Sequence, residues 1–298
     1  MKKKLKIGEN LFEETPHGNY GFPLETSYDS LSMFEHGFLD CHWHPEFEFS
    51  VILDGMMEYQ VNDTVYTAKK GCGIFANSNS LHTARAYKGQ DCSYFAVIFH
   101  PVLIFGHETS AIKNIYVDPI AQSPQFSSLY LNPENDRQKQ IINFLWDISN
   151  LHQERPTCYE LQIKSKLCEL WAALYQEIQL MQGKSPSSSK GVPRLKEALN
   201  YIHSNYRENL TLEDIAAACN ISKSEVCRFF KRMMRQTCFE YLLRYRIQKS
   251  IPLLLGNVQN ITEISEAVGF SNSSYYAEIF RRYMLCSPTE YRKKSMYQ

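Results

Sequence analysis

The pattern of hydrophobic and polar positions changes period along this chain. Over roughly the first 118 residues, apolar side chains come in short runs rich in β-branched and aromatic residues, bounded by turn formers. Residues 46–53 and 57–61 flank Asp54-Gly55, which predicts a hairpin. Asn62-Asp63 then leads into residues 64–67, Lys70-Gly71 turns the chain again, and residues 92–99 read as a buried strand. Short strands at this spacing predict a sandwich or barrel. From Glu134 to Gln182 the period becomes helical. Ile141, Leu145, Ile148 and Leu151 recur every three or four residues, and after Pro156 so do Ile163, Leu167, Leu170, Leu174, Ile178 and Met181. The apolar stripe on the second helix fits two partners equally well, the barrel or a second copy of itself.

Residues 183–192, with their Ser/Gly-rich core, predict a flexible linker, because such a composition buries little apolar area. Beyond it the pattern is helical throughout. Thr211 stands at an N-cap position with Asp214 three residues on, Asn220 suits a left-handed turn, and Ser222 with Glu225 forms a capping box. The helix that follows runs from Lys223 to about Met234. It buries Val226, Phe229 and Phe230 and leaves Lys223, Ser224, Cys227, Arg228 and Lys231 on its outer face. A short helix, a tight turn and a second helix with a basic outer face suit the major groove. The pattern recurs about fifty residues later. Ile264 and Gly269 match Ile215 and Asn220, Phe280 matches Phe230, and Arg281 and Arg282 match Lys231 and Arg232, with a second turn one residue longer. A connecting helix from Phe239 continues toward Leu255, where Pro252 is expected to kink it or end it early. The predicted fold class is α+β: a β domain over residues 1–133, a helical dimerisation or packing segment over 134–182, the linker, and an all-α domain of two helix-turn-helix units over 193–298.

Composition narrows the function. With 298 residues the length suits about two domains. A hydrophobic fraction of 44% and a charged fraction of 21% exclude a disordered or fibrous chain. No apolar run approaches the ~20 residues of a membrane helix, and the lysines at positions 2, 3, 4 and 6 precede no apolar signal core. The expectation is a cytoplasmic protein with no membrane partner. Nine cysteines without a CxxC pair are expected to be mostly small buried residues rather than zinc or redox sites. The net charge of zero hides a split: residues 193–298 carry 16 basic and 10 acidic side chains, residues 1–192 carry 16 and 22. A basic carboxyl end points toward nucleic acid.

The stretch from Ile264 to Arg292, with Ile-Ser-Glu-Ala-Val-Gly-Phe-Ser, Ser-Tyr-Tyr-Ala-Glu-Ile-Phe-Arg-Arg-Tyr and Ser-Pro-Thr-Glu-Tyr-Arg, resembles the signature of the AraC-type transcriptional regulators. The resemblance covers about residues 193–294. It implies double-stranded promoter DNA as the partner, read by Lys223, Ser224, Cys227, Arg228 and Lys231 in the first unit and by Asn272, Ser273, Ser274, Tyr275 and Arg281 in the second. A homodimer and contact with RNA polymerase belong to the same expectation. Two departures stand out. Arg235 and Leu285 replace the glycines that commonly end the recognition helices, and Glu278 stands where the first copy has Arg228. A carboxylate there repels phosphate, so the second unit is expected to contribute less affinity or to read a different base.

Near the other end, His42, His44, Glu48 and Gly55 spell HxHx3Ex6G, which resembles the first cupin motif; of the second motif only Gly71 and His82 remain. The implied fold is a cupin-like double-stranded β-barrel over about residues 10–118. His42, His44, Glu48 and His82 are its expected effector-pocket residues. The expected ligand is a small molecule, a sugar or organic metabolite, that modulates DNA binding. No cofactor and no metal are assigned, although the same four residues are the set that would hold a divalent ion. The alternative from another class is a metal-dependent cupin enzyme fused to a helical domain. A third reading is an architectural DNA-binding protein whose barrel only dimerises.

Overall fold

The computed structural model describes residues 3–8, 11–123, 126–181, 191–234, 236–256, 258–284 and 286–295. The chain divides into two compact units, Met1–Val192 and Pro193–Gln298.

The first unit is built on nine strands: β1 (Leu24–Ser30), β2 (Phe38–His42), β3 (Phe47–Asp54), β4 (Met56–Val61), β5 (Thr64–Lys69), β6 (Gly73–Ala76), β7 (His82–Ala86), β8 (Ser93–Phe99) and β9 (Ser128–Leu131). They form two antiparallel sheets, five strands in the order β1-β8-β3-β6-β9 and four in the order β2-β7-β4-β5. The strands around Asp54-Gly55 do not form the predicted hairpin. Gly55 turns there with φ +77°, but β3 pairs with β6 and β8 while β4 pairs with β5 and β7. The glycine marks a corner between sheets. The true hairpin is β4–β5, closed at Asn62-Asp63 with Val61 opposite Thr64 and Asn62 at φ +50°. The β region also ends differently from the expectation. Helices α1 (Val102–Phe105) and α2 (Asp118–Ala121), with a π-helical turn over Lys113–Val117 between them, precede the last strand.

Helices α3 (Asp136–Glu154) and α4 (Tyr159–Met181) resolve the ambiguous stripe. Ile163, Leu167, Leu170, Leu174 and Ile178 are fully buried in one cluster with Ile141, Leu145 and Ile148 of α3 and with Phe47, Phe75 and Phe99 of the five-stranded sheet. Trp171 stacks on Phe47 at 4.4 Å between ring centroids and donates Nε1–H to the Tyr116 carbonyl at 3.0 Å. The stripe therefore serves the chain's own sheet; Met181 at its end is exposed. Residues 182–190, most of the expected linker, lie outside the described residues, and its last two positions are helical.

The second unit is all helix: α5 (Gly191–Asn205), α6 (Leu212–Ala218), α7 (Lys223–Met234), α8 (Cys238–Gly256), α9 (Ile261–Ala267), α10 (Ser273–Met284) and α11 (Pro288–Ser295). Thr211 and Asp214 make the reciprocal capping box of α6, and Asn260 with Glu263 repeats it on α9. Ser222 and Glu225 bond each other's backbone N–H at the start of α7. Asn220 and Gly269 hold equivalent left-handed turns at φ +52° and +87°. Four residues separate α6 from α7 and five separate α9 from α10, as the repeat offset requires. Pro252 does not end the connecting helix, which runs on to Gly256. Positions 235 and 285, which replace the expected glycines, lie outside the described residues.

Gly269 packs closely against the exit of α5. A Cβ there would come within 2.7 Å of the Arg207 carbonyl oxygen and 2.8 Å of the Tyr206 oxygen. Gly269→Ala is therefore expected to destabilise the second unit by more than about 1 kcal/mol in urea unfolding, through both strain and overlap. Asn220→Gly, at the equivalent turn, is expected to change stability by under ~0.5 kcal/mol, because glycine adopts that φ freely.

Candidate functional site

In the second unit, the side chains expected to read DNA lie along the free faces of α7 and α10. Ser224, Cys227, Arg228 and Lys231 are exposed, as are Ser274, Tyr275 and Arg281. The apolar faces of both helices are spent inward. Val226, Phe229 and Phe230 of α7 are buried, and Tyr276, Ile279 and Phe280 of α10 share a core with Ile247 and Leu254 of α8 and Ile264 of α9. Both helices thus hold their polar faces outward by burying the opposite ones.

Several predicted readers are bonded within the unit or partly covered. Lys223, though exposed, donates to the Glu213 carboxylate of α6. Asn272 caps α10, its Oδ1 accepting from the Tyr275 N–H at 2.8 Å. Ser273 is only half-exposed. Arg228 donates Nε–H to the Ser224 carbonyl of its own helix at 3.2 Å. Glu278, the unexpected carboxylate of α10, lies 3.3 Å from Arg282, so its charge is offset within the same helix.

Two arginines not singled out from sequence brace this unit. Arg246 of α8, nearly buried, donates to the Tyr206 and Glu208 carbonyls at 2.7 Å each and lies over the Phe270 ring. Arg292 of α11 donates to the Leu254 and Gln259 carbonyls at 3.2 and 2.8 Å. Both satisfy carbonyls near helix ends or in the loops that follow, a task sequence spacing does not reveal.

In the first unit the fold gathers His42, His44, Glu48 and His82, all at 4% exposure or less. His42 ends β2, Glu48 lies on β3 and His82 begins β7 directly opposite His42. His44 lies two residues beyond the end of β2. Trp43 is half-buried and packs edge-on against Phe12.

Glu48 Oε1 accepts from Tyr59 Oη at 2.8 Å and Ser50 Oγ at 3.1 Å, while Oε2 lies 3.2 Å from the Nε2 atoms of both His44 and His82. Burial opposes its ionisation, yet the surrounding imidazoles hold its carboxyl well below the usual range. Burial, reinforced by the other two imidazoles, keeps His42 well below its ordinary value.

Two further groups were not found from sequence. Glu13 and His17 come from an amino-terminal segment that runs beside Trp43, held by backbone bonds of 2.9 and 3.0 Å. Glu13 Oε2 lies 3.4 Å from His42 Nε2 and 3.3 Å from His17 Nε2, and His17 Nδ1 donates to Glu25 at 3.3 Å. Glu13, His17, Glu25, His42 and Glu48, with Asp29, Lys3 and Tyr94, line a cavity of about 110 Å³. His44 and His82 are not in its wall.

The family models agree with this geometry. One for an AraC-like ligand binding domain matches residues 34–136, and one for a helix-turn-helix domain matches residues 215–294. An uncharacterized HTH-type transcriptional regulator of Bacillus subtilis, YdeC, is 35% identical over 292 residues, 98% of this chain and 99% of that protein. The chain belongs to the AraC family of transcriptional regulators. As an AraC-family regulator it joins a ligand-binding barrel to a DNA-binding helix-turn-helix domain. The melibiose operon regulatory protein of Escherichia coli is 24% identical over 259 residues, 85% of this chain and 83% of that protein. Unsaturated fatty acid-bound ToxT of Vibrio cholerae aligns over 91% of this chain and 94% of its own, with 15% identity and a TM-score of 0.38. The enzyme alternative finds no support among these regulators. The expectation of mostly buried cysteines needs correction, since only Cys72, Cys92, Cys219 and Cys238 are buried. Among the described residues, no helix is long and apolar enough to cross a membrane.

Burial acts to lower the pKa of His17, but Glu13 and Glu25 override it and raise the value to about 10. The folded chain therefore binds this proton more tightly than the unfolded chain. The stabilisation is full below about pH 6.5, declines as the pH rises and is gone above about 10. The thermal midpoint of the first unit is expected to fall between about pH 7 and 10, and His17→Gln to flatten that fall in circular dichroism melts.

Proposed function

We infer that this regulator reads promoter DNA in the cytoplasm through α7 and α10, as a homodimer that works with RNA polymerase, under control of a small polar molecule held in the barrel. The observation that carries the reading is the pair of equivalent helices α7 and α10. Each is set behind a capped helix and a left-handed turn, and each has its apolar face buried and its cationic face free. Arg228 and Lys231 are the principal contacts of the first helix-turn-helix. In the second, Arg281, Ser274 and Tyr275 carry the contact, with Asn272 and Ser273 held back by capping and partial burial. Lys223 contributes once it leaves Glu213.

The cavity supports a ligand smaller than a drug-sized metabolite. Its ~110 Å³ falls short of the roughly 300 Å³ at which ordinary ligand pockets begin. Its four carboxylates and two lysines suit a compact polar molecule better than an apolar one. Such a ligand shifts the regulator only by binding one arrangement of the chain better than another.

Gel retardation with the chain's own promoter region tests the contacts. Arg228→Ala is expected to weaken binding to the specific site by about 1–3 kcal/mol and to relax its preference among sequences. Unchanged affinity would remove Arg228 from the interface. Lys231→Ala is expected to weaken binding on every sequence alike and to reduce the salt slope by about one. A sequence-dependent loss would make Lys231 a base reader instead.

A further inference from the structure

We propose that Glu278 makes α10 the reader of a cytosine, at the groove position where Arg228 makes α7 the reader of a guanine. The inference rests on the reading of α7 and α10 as the DNA-contacting helices, and assigns a base to one position on each.

The two helices correspond position by position. Each has 12 residues, Lys223–Met234 and Ser273–Met284, and the same offset relates every residue of one to the other. Val226, Phe229 and Phe230 correspond to the equally buried Tyr276, Ile279 and Phe280, so both helices bury the same face. On the opposite face Ser224 corresponds to Ser274, Cys227 to Ala277 and Lys231 to Arg281. Hydroxyl, small side chain and cation are each kept. The charge is inverted only at Arg228 and Glu278, both of them exposed. Residues four and three apart share a helix face, which places each of these two between the hydroxyl and the cation of its own helix.

The chemistry of the base edges turns that inversion into a choice of base. In the major groove guanine presents two acceptors, O6 and N7, which suit a guanidinium. A carboxylate only accepts, and so meets repulsion from guanine and from thymine O4. Adenine sets its N7 acceptor beside its amino group. Cytosine alone offers its N4 amino donor with no acceptor beside it. Helices that dock through equivalent faces thus find the G·C pair in one orientation under Arg228 and reversed under Glu278.

The surroundings of Glu278 permit the contact. Its Oε1 accepts from Arg282 at 3.3 Å, with the two side chains 64% and 62% exposed. A surface pair of this kind holds weakly, so the carboxylate can exchange its partner for a base amino group. Arg281 and Arg282 keep the face cationic towards the phosphates. With Ser274, Ala277 and Glu278 they line an open depression of about 440 Å³, which gives a base edge room beside the carboxylate.

Selection from a pool of randomised duplexes by the full-length protein, followed by sequencing of the bound fraction, tests the assignment. The wild-type chain is expected to enrich a motif of two successive segments, with G in the first and C in the second at equivalent places. Glu278→Arg is expected to turn that C into G, and the isosteric Glu278→Gln to turn it into A, with the first segment unchanged. Arg228→Glu is expected to turn the G of the first segment into C. In gel retardation, exchange of the C·G pair for T·A is expected to weaken wild-type binding by at least about fivefold, and Glu278→Ala binding by less than about twofold. Glu278 variants that bind DNA and enrich the wild-type motif overturn the proposal and reduce Glu278 to a partner of Arg282. A change of preference confined to the first segment overturns it as well. A wild-type chain that enriches no sequence overturns the DNA reading itself, and this inference with it.

Discussion

A carboxylate taken out of water costs several kcal/mol unless other groups replace its hydration, and Glu48 makes that demand at the centre of the barrel. The answer to it joins the two sheets. Glu48 lies on β3 of the five-stranded sheet, whereas Tyr59 on β4 and His82 on β7 reach it from the four-stranded one. The polar centre therefore fixes how the sheets face each other. The apolar layers around it, Phe47 and Phe75 on one side and Ile52 and Ile74 on the other, are the less specific part of the packing. Nearby charges follow from the same demand. His44, between Glu46 and Glu48, is raised to about 9 against the effect of burial, and Glu13 and His17 extend the network to the cavity wall.

The second unit solves a different problem. Its helices are short, and short helices leave a large share of their backbone groups unsatisfied. Side chains meet that need at both ends. Thr211, Ser222, Asn260 and Asn272 cap the amino ends, while Arg246 and Arg292 collect carbonyls at or just beyond the carboxyl ends of α5 and α8. His203 of α5 bonds Tyr241 of α8 at 2.7 Å and stacks on Tyr245, which fixes the first helix of the unit to the long one. With ends and core both satisfied, the free faces of α7 and α10 need no further structural role.

How much of this was legible in the sequence depends on the range of each interaction. Caps and left-handed turns act over three or four residues, so Thr211 with Asp214 and the equivalence of Asn220 and Gly269 could be read directly. The repeat made the second unit readable from the first. Sheet membership is not local: Asp54-Gly55 has the residues of a hairpin turn, but nothing in it reports that β3 and β4 part to different sheets. The helical stripe from Ile163 to Ile178 was clear as a buried face, whereas its partner, the five-stranded sheet, is a long-range fact. The HxHx3E spacing brought three of the four converging side chains into view. Glu13 and His17 escaped because they meet His42 and His44 across 25 or more intervening residues and no strand period connects them. Pro252 misled through its local rule, since the helix around it is held by Arg292 and by the Tyr276–Ser250 bond.

The continuity of α8 past Pro252 has a geometric consequence. Both repeats hang from one rod of 19 residues, about 28 Å long. A single codon gained or lost within it would swing everything downstream by about 100° and slide it by about 1.5 Å. The second helix-turn-helix would then be turned and shifted relative to the first, so the length of this rod sets the spacing and phase between α7 and α10.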